Sequence, residues 1–171
     1  ITNDFTRNGD KVWFGTSHGR VFRSTNNGLN WAVSAPFATN VLVSNIAFAD
    51  NGTGIAVGIE NTSNFILLSR STDGGATWST AEYQIPGGIS PNALVYVPGT
   101  VRTFVVSGAR LGFNGTAYTT DGGLTWTLLD QLVQHLEVAF SSPTNGWSGG
   151  FNRMFKFNGS LAGSVTGLAE D

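Results

Sequence analysis

Apolar and polar positions alternate along this chain in short runs, and the runs recur. Residues 44–49 alternate and predict a strand, Asp50-Asn51-Gly52 a turn, and residues 54–58 a second strand of small apolar side chains. The polar stretch 61–64 predicts a loop, 65–69 a third strand and 77–83 a fourth. The same order follows at 93–97, 103–107, 116–118 and 125–129. It is present earlier at 11–14, 20–23 and 31–33, with an opening strand expected in the thin segment 2–5. A last unit has strands at 136–140, 146–149 and 153–157, then ends in Asn158-Gly159-Ser160. The units are 1–36, 37–84, 85–131 and 132–160, and 161–171 is a weak last strand or a linker. Short strands bounded by Gly, Asn, Asp and Pro predict an antiparallel all-β chain with no helix.

One octet recurs between the third and fourth strands. Ser71-Thr72-Asp73-Gly74-Gly75-Ala76-Thr77-Trp78 and Thr119-Thr120-Asp121-Gly122-Gly123-Leu124-Thr125-Trp126 are close copies. Ser24-Thr25-Asn26-Asn27-Gly28-Leu29-Asn30-Trp31 is looser, and the copies start 47 and 48 residues apart. A period in the forties points to propeller blades or solenoid repeats. A hydroxyl two residues before Asp closes a tight turn through side-chain hydrogen bonds. Gly75 and Gly123 suit a positive φ, and Trp78 and Trp126 are placed to pack between sheets. Each octet offers at most one carboxylate where calcium takes six or more oxygens, so the motif reads as structural.

Composition narrows the function classes. Charged residues are 12% and the net charge is −2, with no basic block for nucleic acid or an anionic membrane. No apolar run is long enough for a membrane-spanning helix. Cysteine is absent, which removes disulfide and thiol chemistry. Residues 1–5 lack the basic and apolar regions of a signal peptide, which is expected to be absent or already removed.

The octets resemble the Asp-box, or BNR repeat, Ser/Thr-x-Asp-x-Gly-x-Thr-Trp/Phe. Residues 52–58 and 145–150 also look like the Gly-x-Ala-x-Gly second strand of photosystem II assembly-factor-like propellers. The resemblance implies a partial β-propeller of about four blades, each of four antiparallel strands. Ser24, Asn26, Gly28, Trp31, Ser71, Asp73, Gly75, Trp78, Thr119, Asp121, Gly123 and Trp126 are its structural box positions. Because such propellers have six to ten blades in related families, the expectation is a fragment of a larger exported bacterial protein, secreted, on the cell surface or in the periplasm. A piece that pairs with a second copy and a small closed ring are the alternatives. Box repeats occur in sialidases, xyloglucanases, sortilin-type receptors and assembly factors, on the face away from the ligand.

Candidate ligand residues therefore belong on the opposite loops: His18, Glu60, Asn61, Arg110, Phe113, Phe151, Asn152 and Arg153. Phe113 and Trp147 are candidates to stack on sugar rings, and Arg110 or Arg153 to pair with a carboxylate. Taken singly, each reads first as an ordinary loop residue, with the aromatics filling space between blades. No repeated pair of acids suggests glycoside hydrolysis, which needs two facing carboxylates. His18 and His135 are the only histidines, too few for a three-histidine zinc site. No Gly-x-Ser-x-Gly elbow exposes a serine, and His135 is expected to be partly exposed. The expected function is binding or scaffolding without catalysis, of a protein or a glycan, with no cofactor or metal. The partners are that ligand plus the remaining blades or a second copy. Part of a glycoside hydrolase propeller is the alternative.

Overall fold

The computed structural model describes residues 5–79 and 85–162. Four antiparallel sheets follow one another in chain order. The first contains β1 (Phe5–Asn8), β2 (Lys11–Gly15), β3 (Val21–Ser24) and β4 (Ala32–Ser34). The second contains β5 (Val41–Phe48), β6 (Gly54–Glu60) and β7 (Ile66–Ser71). The third contains β8 (Pro91–Tyr96), β9 (Phe104–Arg110), β10 (Phe113–Thr119) and β11 (Thr127–Gln131). The fourth contains β12 (Glu137–Ser142), β13 (Asn145–Gly149) and β14 (Met154–Lys156). In each, neighbours in sequence are neighbours in the sheet. The only helical element described is a 3-10 turn at Pro86–Gly88.

Several boundaries move. The opening strand expected in residues 2–5 lies at Phe5–Asn8, because the two-residue turn Gly9-Asp10 sets the register Asn8↔Lys11 and Phe5↔Phe14. Its polar Arg7 and Asn8 conceal the strand from a hydrophobicity reading, and residues 2–4 lie outside the described part. The loop expected before residue 116 shrinks to Leu111-Gly112, since Arg110 pairs with Phe113. In the second sheet, residues 78 and 79 follow the line expected for a fourth strand, with Ser79 N–H donating to Arg70 O (2.7 Å). Residues 80–83 of that expected strand lie outside the described part. At the other end, Leu161 of the predicted tail is buried and donates its N–H to Pro143 O (2.8 Å). Residues 163–171 are outside the described part.

The core is three seams between successive sheets. Trp13, Val21, Val43, Ile46 and Phe48 fill the first. Ile55, Val57, Leu94, Phe104 and Val106 fill the second, and Val105, Val138 and Leu161 the third. Facing residues come from alternate positions of each strand, as a sheet buried on both faces requires. Glycine permits the closest approach: a Cβ on Gly54 would overlap the Phe48 ring, and one on Gly146 the Phe140 ring. The first strands β1, β5, β8 and β12 all border one hollow of about 390 Å³, the centre around which the blades are arranged. The arc is open. Phe5, Phe14, Phe22 and Val33 pair across the outer face of the first sheet and remain exposed.

The boxes fold as their residue types require. Ser71 Oγ donates to Asp73 Oδ1 (2.8 Å) and accepts from Gly75 N–H (2.8 Å). Asp73 also accepts from the N–H groups of Ala76 and Thr77 (2.9 Å each) and the Thr77 hydroxyl (2.6 Å). Thr119 and Asp121 repeat the set with Gly123, Leu124 and Thr125. Gly75 and Gly123 have φ of 84° and 89°. In the first copy Asn26 accepts from Ser24 (3.0 Å) and Asn30 N–H (2.9 Å), and asparagine at position 30 has no hydroxyl to add a further bond.

Hydrogen bonds from Thr77 lower the Asp73 carboxyl to about 2. Around Asp121, burial pushes upward, and the bonds from Thr125, Thr119 and Leu124 outweigh it, bringing it also to about 2. Both carboxylates are thus more acidic folded than unfolded. Their contribution is complete above the unfolded value near pH 4 and is lost as pH falls towards 2. Asp73→Ala or Asp121→Ala is expected to lower unfolding free energy by about 1–2 kcal/mol at pH 7. That difference should shrink between pH 4 and pH 2. Denaturant melts at neutral and acid pH check this, and a pH-independent difference would contradict the role given to ionisation.

Candidate functional site

The hairpins divide the molecule into two ends. At one end each box contacts the first turn of its own sheet: Asn27 N–H donates to Asp10 O (2.8 Å), Gly74 N–H to Gly52 O (2.9 Å) and Gly122 N–H to Arg102 O (3.1 Å). At the other end the second-to-third hairpins meet the connections between sheets. Phe37 N–H donates there to Gly19 O (3.3 Å), Asn61 N–H to Asn40 O (3.0 Å) and Ser90 N–H to Phe113 O (2.8 Å). All eight candidate ligand residues lie in, or end, these second-to-third hairpins.

They do not form one cluster. His18 is exposed on the first hairpin, with Nδ1 2.9 Å from Ser17 Oγ. Glu60 closes β6 and is occupied locally, by Asn40 Nδ2 (2.9 Å) and the Ser63 hydroxyl. Asn61 begins the exposed loop after it. Arg110 lies over the Phe113 ring, 5.3 Å from its centroid, so the two act as a pair on their own hairpin. Phe151, Asn152 and Arg153 come together around a hollow of about 360 Å³, and Arg110, expected to join them, does not line it. Trp147 is displaced further: it is mid-strand in β13 and away from the loops.

The residues that complete this hollow were not among the candidates. Leu111 comes from the β9–β10 turn, and Leu132 and Gln134 from the connection between the third and fourth sheets. Leu111 is 83% exposed, Leu132 86% and Phe151 71%. Leu132 also has φ of 68°, a left-handed conformation that costs a leucine free energy. Gln134 fixes the floor by donating from Nε2 to Ala109 O (2.9 Å). The box end exposes leucines too, but Leu29 and Leu124 sit on separate hairpins and do not share a hollow with each other. The available sequence signal was an apolar residue at a turn tip, as in Arg110-Leu111-Gly112, where a polar one is usual.

His135 departs from expectation. It is buried, with Nδ1 2.7 Å from Ser148 Oγ and Nε2 3.2 Å from Asp130 Oδ1, and its ring meets Phe155 edge-on. Since a carboxylate only accepts, Nε2 donates to Asp130, and Nδ1 shares the second bond with the Ser148 hydroxyl. This joins β11, the following connection and β13. No group of three or more His, Cys, Asp or Glu side chains capable of holding a metal comes together among the described residues.

A model of the BNR/Asp-box repeat family matches residues 117–128, the third box with its flanking strand. No curated protein matches the sequence. Among solved structures, YCF48 bound to D1 peptide is similar at 15% identity and a TM-score of 0.61, covering 92% of this chain and 54% of that one. YCF48 from Cyanidioschyzon merolae is similar at 16% identity and 0.60, covering 91% and 56%. A GH74 enzyme of Niastella koreensis reaches 16% and 0.65, covering 94% of this chain and 28% of that one. The chain thus spans little more than half the length of the first two and under a third of the last. Sheets, boxes and likenesses agree: the chain has a BNR/Asp-box type β-propeller fold.

Proposed function

We propose that the chain is a protein-binding module of an exported protein, and that it holds an apolar polypeptide segment on the hairpin end opposite the boxes. The convergence of Leu111, Leu132 and Phe151 on one hollow carries this reading. Three large apolar side chains held in water around a shared depression are unfavourable unless a partner covers them. The left-handed Leu132 adds a local cost that a glycine would avoid, and such costs concentrate at functional positions. Arg153, on the rim, favours a segment with an acidic residue beside its apolar ones. The peptide-bound YCF48 structure supports the reading through fold alone. Three of the acids described are occupied structurally: Glu60 by Asn40 and Ser63, Asp50 by Asn8, and Asp130 by Thr116 and His135.

A second surface concerns assembly. Phe5, Phe14 and Trp31 are in ring contact on the outer face of the first sheet, with centroids 5.1 and 5.2 Å apart. The equivalent faces of the second and third sheets are covered by the sheet before them. We assign this ladder to a further blade, from the remainder of a longer chain or from a second copy.

Screening arrayed peptides against the immobilised chain tests the first reading. Acidic amphipathic peptides should bind, and Leu111→Ser with Phe151→Ser should weaken them by at least about tenfold, or 1.4 kcal/mol, at unchanged melting temperature. Leu132→Gly should weaken binding while leaving the melting temperature equal or higher, because the positive φ is relieved. Binding indifferent to all three changes, or release of reducing sugar from a glucan under the same conditions, would sink the proposal. For the second surface, light scattering of the 171-residue chain should show self-association that Phe14→Ser with Phe22→Ser reduces. A stable monomer before substitution would refute pairing with a second copy and leave the remainder of a longer chain as the source of the further blade.

A further inference from the structure

A cleft of about 370 Å³ opens at the box end, between the second and third boxes. Arg70, immediately before the second box, stands on one side of it. Arg102, from the turn between β8 and β9, stands on the other. Both stems lie against the third box. A Cβ added to Gly122 would be 3.7 Å from Arg102 Cδ, and one added to Gly123 would be 3.4 Å from Arg70 Cδ. Two arginine side chains are thereby held over consecutive residues of one turn.

The fold asks nothing of the Arg102 side chain. Its carbonyl accepts from Gly122 N–H, as Gly52 O accepts from Gly74 N–H in the second sheet and Asp10 O from Asn27 N–H in the first. Aspartate, glycine and arginine serve the same backbone contact, and of the three only arginine adds a cation. No described residue pairs with its guanidinium. Arg70 gives one N–H to Gly123 O (3.2 Å), which fixes its guanidinium and leaves its other donors without a described acceptor. The hydroxyls of Thr53, Thr72 and Ser79 line the same cleft, and none donates to a described residue. The carboxylate of Asp121 also borders it, but its oxygens are engaged by Thr119, Leu124 and Thr125 of its own turn.

Uncommitted donors and two positive charges thus face one space. We infer that this cleft binds a tetrahedral oxyanion, a sulfate or phosphate group, between Arg70 and Arg102. One guanidinium fork engages both oxygens of a carboxylate, so two forks with hydroxyls beside them suit an anion with three or four oxygens. The volume falls in the range of small-molecule sites. Leu124, half exposed, borders the cleft and offers apolar surface to the organic part of an ester. The site lies at the opposite end of the blades from the hairpin-end hollow and does not depend on it.

Calorimetry of the 171-residue chain at low ionic strength tests this with glucose 6-sulfate, glucose 6-phosphate, inorganic sulfate and glucose. The three anions should bind one per chain and glucose should not, with affinity falling as sodium chloride is added. Esters that bind tighter than inorganic sulfate identify an esterified ligand, and equal affinity identifies the free anion. Arg102→Ala should weaken binding at least about tenfold at unchanged melting temperature; Arg102→Gln is the second variant should alanine lower it. Arg102→Lys, which keeps the charge and loses the fork, should fall between wild type and alanine. Arg153→Ala, at the hairpin end, should leave anion binding intact. No binding of any of the three anions, glucose binding as well as its esters, full binding to Arg102→Ala, or an equal loss in Arg153→Ala would overturn the proposal.

Discussion

The joint between one sheet's side chains and the next sheet's box carbonyls governs this structure. Within a box, serine and aspartate take up the N–H groups of the tight turn, so its glycine carbonyls are left facing outward. Gly74 O accepts from Trp13 Nε1 (2.9 Å) and Gly75 O from Ser34 Oγ (2.6 Å), both on the preceding sheet. Gly123 O accepts in the same way from Arg70 of the second sheet (3.2 Å). A motif that is local in sequence thereby sets the spacing between blades. Apolar seams alone give adhesion without direction; these bonds fix how each sheet sits on the next.

The same joint explains what could be read from the chain without coordinates. The box announces itself because its geometry needs particular residue types at particular places: a hydroxyl, an acid two residues on, a glycine at positive φ. Strands with one apolar stripe per face were equally legible. The strand at Phe5–Asn8 was hidden because Arg7 and Asn8 are polar and its outer face has no described cover. The hairpin-end hollow was only half legible. Phe151, Asn152 and Arg153 stood out as unusual loop residues, but Leu111 and Leu132 join them through contacts between different sheets, which no local pattern encodes. Arg110 was misplaced for a related reason: a two-residue turn keeps it beside Phe113 and away from the neighbouring hairpin.

The proposed polypeptide-binding surface and the contacts that hold the fold lie at opposite ends of the blades. The box end is held by side-chain bonds into backbone, and a substitution in those bonds acts first on stability. The hairpin end has short turns and connections whose tips project freely, so residues there change with little effect on the seams. That division also accounts for the low charge of the chain. Turns made from Asn, Gly, Ser and Thr satisfy the backbone without ionised groups, leaving the arginines to act as individual contacts.

The third seam shows what happens where the joint lapses. The connections preceding the second and third sheets contribute apolar plugs, Phe37 to one seam and Ile85 and Ile89 to the next. The connection before the fourth sheet contributes His135 instead, bonded to Asp130 on one side and Ser148 on the other. Apolar walls are stabilised by closing together, since each unfilled volume forfeits packing. A hydrogen-bonded histidine resists that collapse. Drawing the walls together would break the bonds of a buried imidazole, and leaving those nitrogens unpaired costs more than the tighter packing returns. Where the box and its tryptophan are missing, Phe157 takes the edge-on place against Phe140, and the bonds of His135 to Asp130 and Ser148 thus tie the fourth sheet to the third as box carbonyls tie the earlier ones.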